Sequence, residues 1–315
     1  MPARPLRIGT RGSPMALFQA ELVRARLRAV HAELADAAAV ELVPIRTTGD
    51  RVQNRRLAEI GGKGLFTKEI EEALLDNRID LAMHSLKDME TFLPPGLEIG
   101  CVLERDDPRD VLVSRDGLSL DDLPDGARIG TASLRRRAQL LQRRPDLEVP
   151  PIRGNVGTRI GKMQAGEVDA LVLALCGLER LHQMDLVSEI LPIEVMLPAV
   201  GQGVVAVECR VGDADLARLL APLNHRATAA CVIAERAMLA ALDGSCRTPI
   251  AGLATIVEGE LVLDALLLSP DGDAERRGRI AGMPEDAAAL GKELGDRLRR
   301  DAGPEFGFDD PPPHG

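Results

Sequence analysis

The chain has 315 residues, 45% of them hydrophobic and 28% charged, with 49 acidic against 39 basic side chains and a formal net charge of −10. That length calls for two or three domains of ordinary size, while the acidic balance and the lack of Trp and Tyr disfavour a stacking, basic surface for nucleic acid. Five cysteines with no CxxC pair and five scattered histidines speak against a disulfide framework and a metal centre.

The N-terminal MPARPLRIGTRGS lacks the apolar core of a signal peptide, and no later segment approaches about 18 uninterrupted apolar residues. We therefore expect a cytoplasmic protein that does not engage a membrane. Residues 6–9 form a short apolar strand running into TRGSP, where Ser13 is placed to cap a helix and Pro14 to occupy its first turn. Ala20, Val23, Leu27, Val30 and Leu34 then recur at helical spacing. Strand, glycine turn and helix N-terminus make an anion site, to which Arg11 and Ser13 add donors.

A second strand over 40–46 leads into the polar run 47–56 and then IGGKGLF, whose glycines suggest a mobile segment closing over a site. A helix over 67–75 precedes IDLAMHSLKDME, an apolar strand ending in His84, Ser85, Lys87 and Asp88. Polar groups at the carboxyl end of an α/β strand are where ligands sit, and Asp88 is the best acid or base candidate there. A solvated turn accounts equally well for the Lys87–Asp88 pair.

The pattern continues through LEIGCVL, RDDPRD and VLVS as strands leading toward a second domain. At 128–130 the opening device recurs: a strand, then GTASLRRRAQLLQRR, with Thr131 or Ser133 as helix cap. Between Arg128 and Arg159 there are eight arginines and only two acids, Asp146 and Glu148. RGNVGTR puts another glycine turn before a helix, and DALVLALCGLERL supplies a buried strand and a helix carrying Arg180. GQGVVA precedes a strand instead of following one, so it is no dinucleotide fingerprint. Helices over 214–220 and 227–242 lead to LDGSCRTPI.

In that turn Cys246 lies among polar residues beside Arg247, whereas Cys101, Cys176, Cys209 and Cys231 lie in apolar runs. A neighbouring cation favours the thiolate; a solvent-facing loop cysteine without a role is the competing reading. Strands over 250–257, 261–268 and 277–282 form a small antiparallel sheet, a helix over 285–300 closes it, and a flexible tail is expected from 303.

Several arginine-bearing anion turns suit a ligand with many carboxylates. An enzyme using Asp88 and Cys246, a non-catalytic anion-binding protein, and a nucleic-acid binder all compete at this level. The net charge weakens the last of these.

The strings GTRGSPMALFQ, GGKGLFTKE, HSLKD, DDPRD, GTASLRRRAQL, RGNVGTR, LPAVGQG and GSCRTPI occur in one order along the chain. In this order the chain resembles the porphobilinogen deaminase (hydroxymethylbilane synthase) family over nearly its whole length. The resemblance implies a transferase condensing four porphobilinogen molecules head to tail onto a dipyrromethane primer, with loss of ammonia and hydrolytic release of hydroxymethylbilane. It implies a covalent thioether to the primer at Cys246 and a catalytic carboxylate at Asp88. It assigns Ser13, Lys87, Asp88, Thr131, Ser133, Arg135 and Arg136 to cofactor binding, and Arg11, Ser13, Arg153, Arg159 and Arg180 to substrate. Gly61, Gly62, Lys63 and Gly64 would belong to a lid, and Gln202 to a hinge strand. No metal is implied, and a monomer is expected.

The implied fold is α/β with three domains. The first two resemble periplasmic binding proteins, with mostly parallel sheets and helices on both faces. The third is a small three-stranded antiparallel sheet with helices. The boundaries expected are 1–103 with 204–222 for the first, 104–203 for the second and 223–315 for the third. Glu90 departs from the family pattern, which has proline there, as do Glu59 before GGKG and Ser245 and Arg247 around the cysteine.

Overall fold

The computed structural model describes residues 4–51, 64–242 and 248–306. The chain divides into two compact units, residues 1–106 with 201–229, and residues 107–200 with 230–315.

In the first unit the strand β1 (Leu6–Arg11) lies between β2 (Val40–Ile45) and β3 (Leu81–Ser85), parallel to both. Helix α1 (Pro14–Val30) connects β1 toward β2. Its start follows from the sequence: Ser13 Oγ accepts the Ala16 N–H at 3.3 Å, and Pro14 supplies a φ already suited to a helix. The helix buries Ala20, Val23 and Leu27 against the sheet as the spacing predicts, but it ends at Val30, which is exposed. Leu34 reaches the same core from a separate 3-10 turn, Ala32–Leu34. The short helix α2 (Thr48–Arg51) occupies part of the run expected to be mobile, and α3 (Lys68–Leu75) packs its Ile70, Ala73 and Leu74 beneath β3.

After β4 (Leu97–Val102) the chain leaves for the second unit, returning as β9 (Val205–Arg210), which inserts between β3 and β4 antiparallel to both. The sheet order β2-β1-β3-β9-β4 is therefore mixed, with the parallel part confined to the three strands joined through helices. A strand arriving from the other unit has no crossover helix to orient it, so parallel direction is not imposed.

The second unit holds β5 (Asp110–Ser114), β6 (Ile129–Gly130), β7 (Ala170–Ala174) and β8 (Glu189–Ile190) in the order β6-β7-β5-β8, with only β6 and β7 parallel. Helices α4 (Leu134–Arg143), α5 (Val156–Gln164) and α6 (Leu175–Arg180) accompany it. The return strand β9 spans Val205–Arg210 and is followed by α7 (Ala214–Leu220) and α8 (Arg226–Ala241).

The last sheet is an antiparallel meander of β10 (Ile250–Val257), β11 (Glu260–Leu268) and β12 (Glu275–Gly282), backed by α9 (Ala287–Asp301). Its Ala251, Leu253, Leu266 and Leu268 form one apolar cluster with Ala138 of α4 and Leu197. The cluster bridges the regions expected as the second and third domains. The tail also differs from expectation, because Pro304–Phe306 form a 3-10 turn whose phenyl ring is fully buried in the third core. Cys101, Cys176, Cys209 and Cys231 are buried as expected. No helix among the described residues is long and apolar enough to cross a membrane.

Candidate functional site

Because β1 and β3 run parallel as neighbours, their carboxyl ends open on the same edge of the first sheet. There Arg11, Ser13, Gln19, Phe66, Ser85 and Asp88 line one pocket. The Arg11 guanidinium lies 4.3 Å from the Phe66 ring centroid and its Nη2 donates to Asp50 Oδ1 at 2.5 Å. Burial pushes the Asp50 carboxyl up, but hydrogen bonds from Arg11 and Thr47 outweigh it and hold the group below its usual range. Arg11 is thus oriented before any ligand arrives. Gln19 Nε2 donates to Ser85 Oγ at 3.0 Å, fixing the other side of the floor.

Beyond Ser85 the 3-10 turn Leu86–Asp88 buries Leu86 and turns Lys87 and Asp88 outward, so both are exposed. Asp88 nonetheless lines the pocket beside Arg11 and Ser13. Lys87 Nζ donates to Oε1 of the buried Gln202 at 3.2 Å. That bond ties the Leu86–Asp88 turn to the segment just before β9.

Beneath the pocket lies a buried polar floor. His84 Nε2 is 3.0 Å from Glu208 Oε2 across the β3–β9 pair, and Glu208 is fully buried with its Oε1 lacking a partner. Glu71 on α3 is also buried with an unpartnered Oε1. Burial pushes its carboxyl up, and the charges of Glu208 and Glu90 push the same way against Thr67 and His84. The motif-based assignment passes over both glutamates. The available signal for Glu208 was an acid inside the apolar run VVAVEC; Glu71 sits among Lys68, Glu69 and Glu72 and gave none.

In the second unit Ser133 is the cap of α4, its Oγ accepting the Arg136 N–H at 3.4 Å, and the Ser133 N–H donates to Thr131 Oγ1 at 3.2 Å. Arg135 and Arg136 point inward. Their Nη2 atoms hold the two oxygens of fully buried Asp110 at 2.8 and 2.7 Å, and their Nη1 atoms donate to the Leu197 and Val172 carbonyls. Burial alone would raise the Asp110 carboxyl; the two guanidinium charges overcome it and hold the carboxyl far below the usual range. Nε of each arginine is buried without a partner.

Arg153 and Arg159 are half-buried around the Asn155-capped start of α5, where Arg159 Nε donates to the Gly154 carbonyl at 2.8 Å. Arg180 is buried at the end of α6. The structure therefore brings Arg11, Ser13 and Asp88 together in one unit and Thr131, Ser133, Arg135 and Arg136 together in the other. Cys246, with Gly61, Gly62 and Lys63 of the expected lid, lies outside the described residues; Gly64 lies within them.

These features define a class: an α/β protein whose pocket offers a guanidinium, hydroxyls and one exposed carboxylate. The chain matches the porphobilinogen deaminase dipyromethane cofactor binding domain over residues 6–218 and the porphobilinogen deaminase C-terminal domain over residues 229–300. Among solved structures, it is similar to the VFT2 domain of Bordetella pertussis BvgS at 15% identity, covering 69% of this chain and 84% of that one, with a TM-score of 0.40. It is also similar to the ancestral amino acid-binding protein AncCDT-1 at 15% identity, covering 70% and 87%, with a TM-score of 0.36. The chain belongs to the porphobilinogen deaminase family.

Its activity is the condensation of four porphobilinogen molecules head to tail onto a covalently held dipyrromethane primer, with release of ammonia and then of hydroxymethylbilane by hydrolysis. Family membership decides against the non-catalytic anion-binding reading. The residues present fit such a primer on chemical grounds. Carboxylate arms call for guanidinium and hydroxyl donors, and the partnerless buried Nε atoms of Arg135 and Arg136 are donors still to be satisfied.

Proposed function

We propose that Asp88 is the carboxylate that drives each condensation and that Cys246 carries the primer. The observation that supports Asp88 most is its place: an exposed carboxylate at the carboxyl end of β3, in the same pocket as Arg11 and Ser13. When bound, the dipyrromethane supplies the nucleophilic pyrrole carbon at which the chain grows. Asp88 accepts the N–H of the incoming pyrrole and stabilises the positive charge that develops there as ammonia departs. Arg11 and Ser13 hold an acid arm of the same ring, Arg11 being preoriented by Asp50 and Phe66. Lys87 contributes a cation at the rim.

In the second unit Thr131, Ser133, Arg135, Arg136, Arg153, Arg159 and Arg180 take the acetate and propionate groups of cofactor and substrate. Asp110 cancels one of the two charges of Arg135 and Arg136, leaving that site with a single net positive charge for a carboxylate. Gly61, Gly62, Lys63 and Gly64 act as a lid and Gln202 as part of a hinge. The working protein is a cytoplasmic monomer of three domains, 1–103 with 204–222, 104–203 and 223–315, with no nucleic-acid partner.

Two measurements test this reading. Intact mass should exceed that of the sequence by two linked pyrrole units, and Cys246→Ala should remove the excess; a bare-chain mass from cells that make porphobilinogen would sink the Cys246 assignment. Asp88→Asn should retain the excess mass while turnover falls at least about a hundredfold, the loss typical of deleting one preorganised electrostatic partner. Near-normal turnover would take Asp88 out of the chemistry.

A further inference from the structure

Glu90, two residues beyond Asp88, is half-buried, and its Oε1 accepts the backbone N–H of Gly64 at 2.5 Å. Gly64 opens the turn into α3. Its φ of +71° is a left-handed conformation that suits glycine, and its carbonyl accepts the N–H groups of Thr67 and Lys68 at 3.1 and 2.9 Å. The turn is fixed on its far side as well, because the Gly49 N–H donates to the Leu65 carbonyl at 2.7 Å and Glu69 Oε1 accepts from Thr48 N at 2.8 Å. Next in the turn come Phe66, the ring beneath Arg11, and Thr67, both lining the pocket.

At its other end Glu90 follows the turn Leu86–Asp88, closed by the Met89 N–H on the Leu86 carbonyl at 3.1 Å. One carboxylate therefore joins two walls of the pocket: the wall that supports Arg11 and the wall that presents Asp88. Where proline would restrain the chain after Asp88 through its fixed φ, glutamate leaves the backbone free and supplies a charge-assisted bond in its place.

We propose that Glu90 is a positioning residue for the condensation, cross-linking the Asp88 turn to the Gly64–Thr67 turn so that the carboxylate and the Arg11–Phe66 wall keep a fixed spacing. The inference rests on the reading of Asp88 as the working carboxylate. Glu90 touches no reacting atom; it acts through the geometry of groups that do. Misplacement by about an ångström of a group that meets the substrate can lower turnover up to about a hundredfold.

The test compares Glu90→Ala and Glu90→Gln with the parent holoenzyme. Glu90→Ala should speed hydrogen exchange at the Gly64 amide at least about tenfold, since the amide loses its acceptor. It should also lower kcat about tenfold with a smaller change in KM, because alignment and not uniform binding is lost. Glu90→Gln retains a carbonyl acceptor and should recover most of both properties. Unchanged Gly64 exchange in Glu90→Ala, or equal turnover in all three proteins, overturns the proposal. Failure of the Asp88 reading shows itself separately, as retained turnover in Asp88→Asn while Gly64 exchange still responds to Glu90.

Discussion

Asp110 faces two guanidinium groups without touching solvent. Two buried guanidinium groups close on its two oxygens, and removing that acid would leave both cations without their counter-charge. Breaking a buried ion pair from one side costs about 3–5 kcal/mol, so Asp110→Asn is expected to lose that much stability at neutral pH. The sign with pH follows from the direction of the shift. Its folded carboxyl is held below the unfolded value, so its stabilisation is complete above the usual carboxyl range and is lost as pH falls through the lower folded value. Urea unfolding at neutral pH and again near pH ~3 should therefore show a gap to the Asn variant that is narrowed but still open in acid, and that closes only as pH falls on to the lower folded value. A gap that vanishes within the ordinary carboxyl range would mean that the arginines do not depress Asp110. The sequence announced this triad only by halves: GTASLRRRAQL and DDPRD are separate strings, and only β5 and α4 packing together reveals that the acid of one neutralises the arginines of the other.

At the scale of elements, local rules were enough wherever one segment decides its own shape. Ser13, Ser133 and Asn155 each cap the helix that follows, and Pro14 sits in the first turn, because these effects involve neighbours within three residues. Long-range pairing was less legible. The order of strands around β9 depends on a chain that leaves one unit and returns to it, and no periodicity within residues 205–210 records its direction. Phe306 was hidden for a related reason. Its flanks are polar and rich in Gly, Pro and acids, so composition suggested a tail, but the third core accepts the ring and Arg276 lies 5.0 Å from its centroid. Asp88 was legible as a strand-end carboxylate, whereas its exposure and the bond from Glu90 to Gly64 required the turn geometry.

At the scale of the whole molecule, the region around the second sheet and the third sheet meet at an apolar seam. Ala138 on α4 and Leu197 meet Ala251, Leu253, Leu266 and Leu268 of the third sheet. Gly272, in the hairpin between β11 and β12, sits so close to α4 that a Cβ there would lie 2.5 Å from the Ala138 carbonyl. A side-chain deletion in this seam should be felt on both sides of it. Leu266 is almost fully buried, and Leu266→Ala removes packing worth about 2–5 kcal/mol. Hydrogen exchange of the amides in β7 and in β11 is expected to accelerate together in that variant, while α1 and β1 of the first unit keep their protection. Faster exchange confined to β10, β11 and β12 would show that the seam does not couple the third sheet to the second.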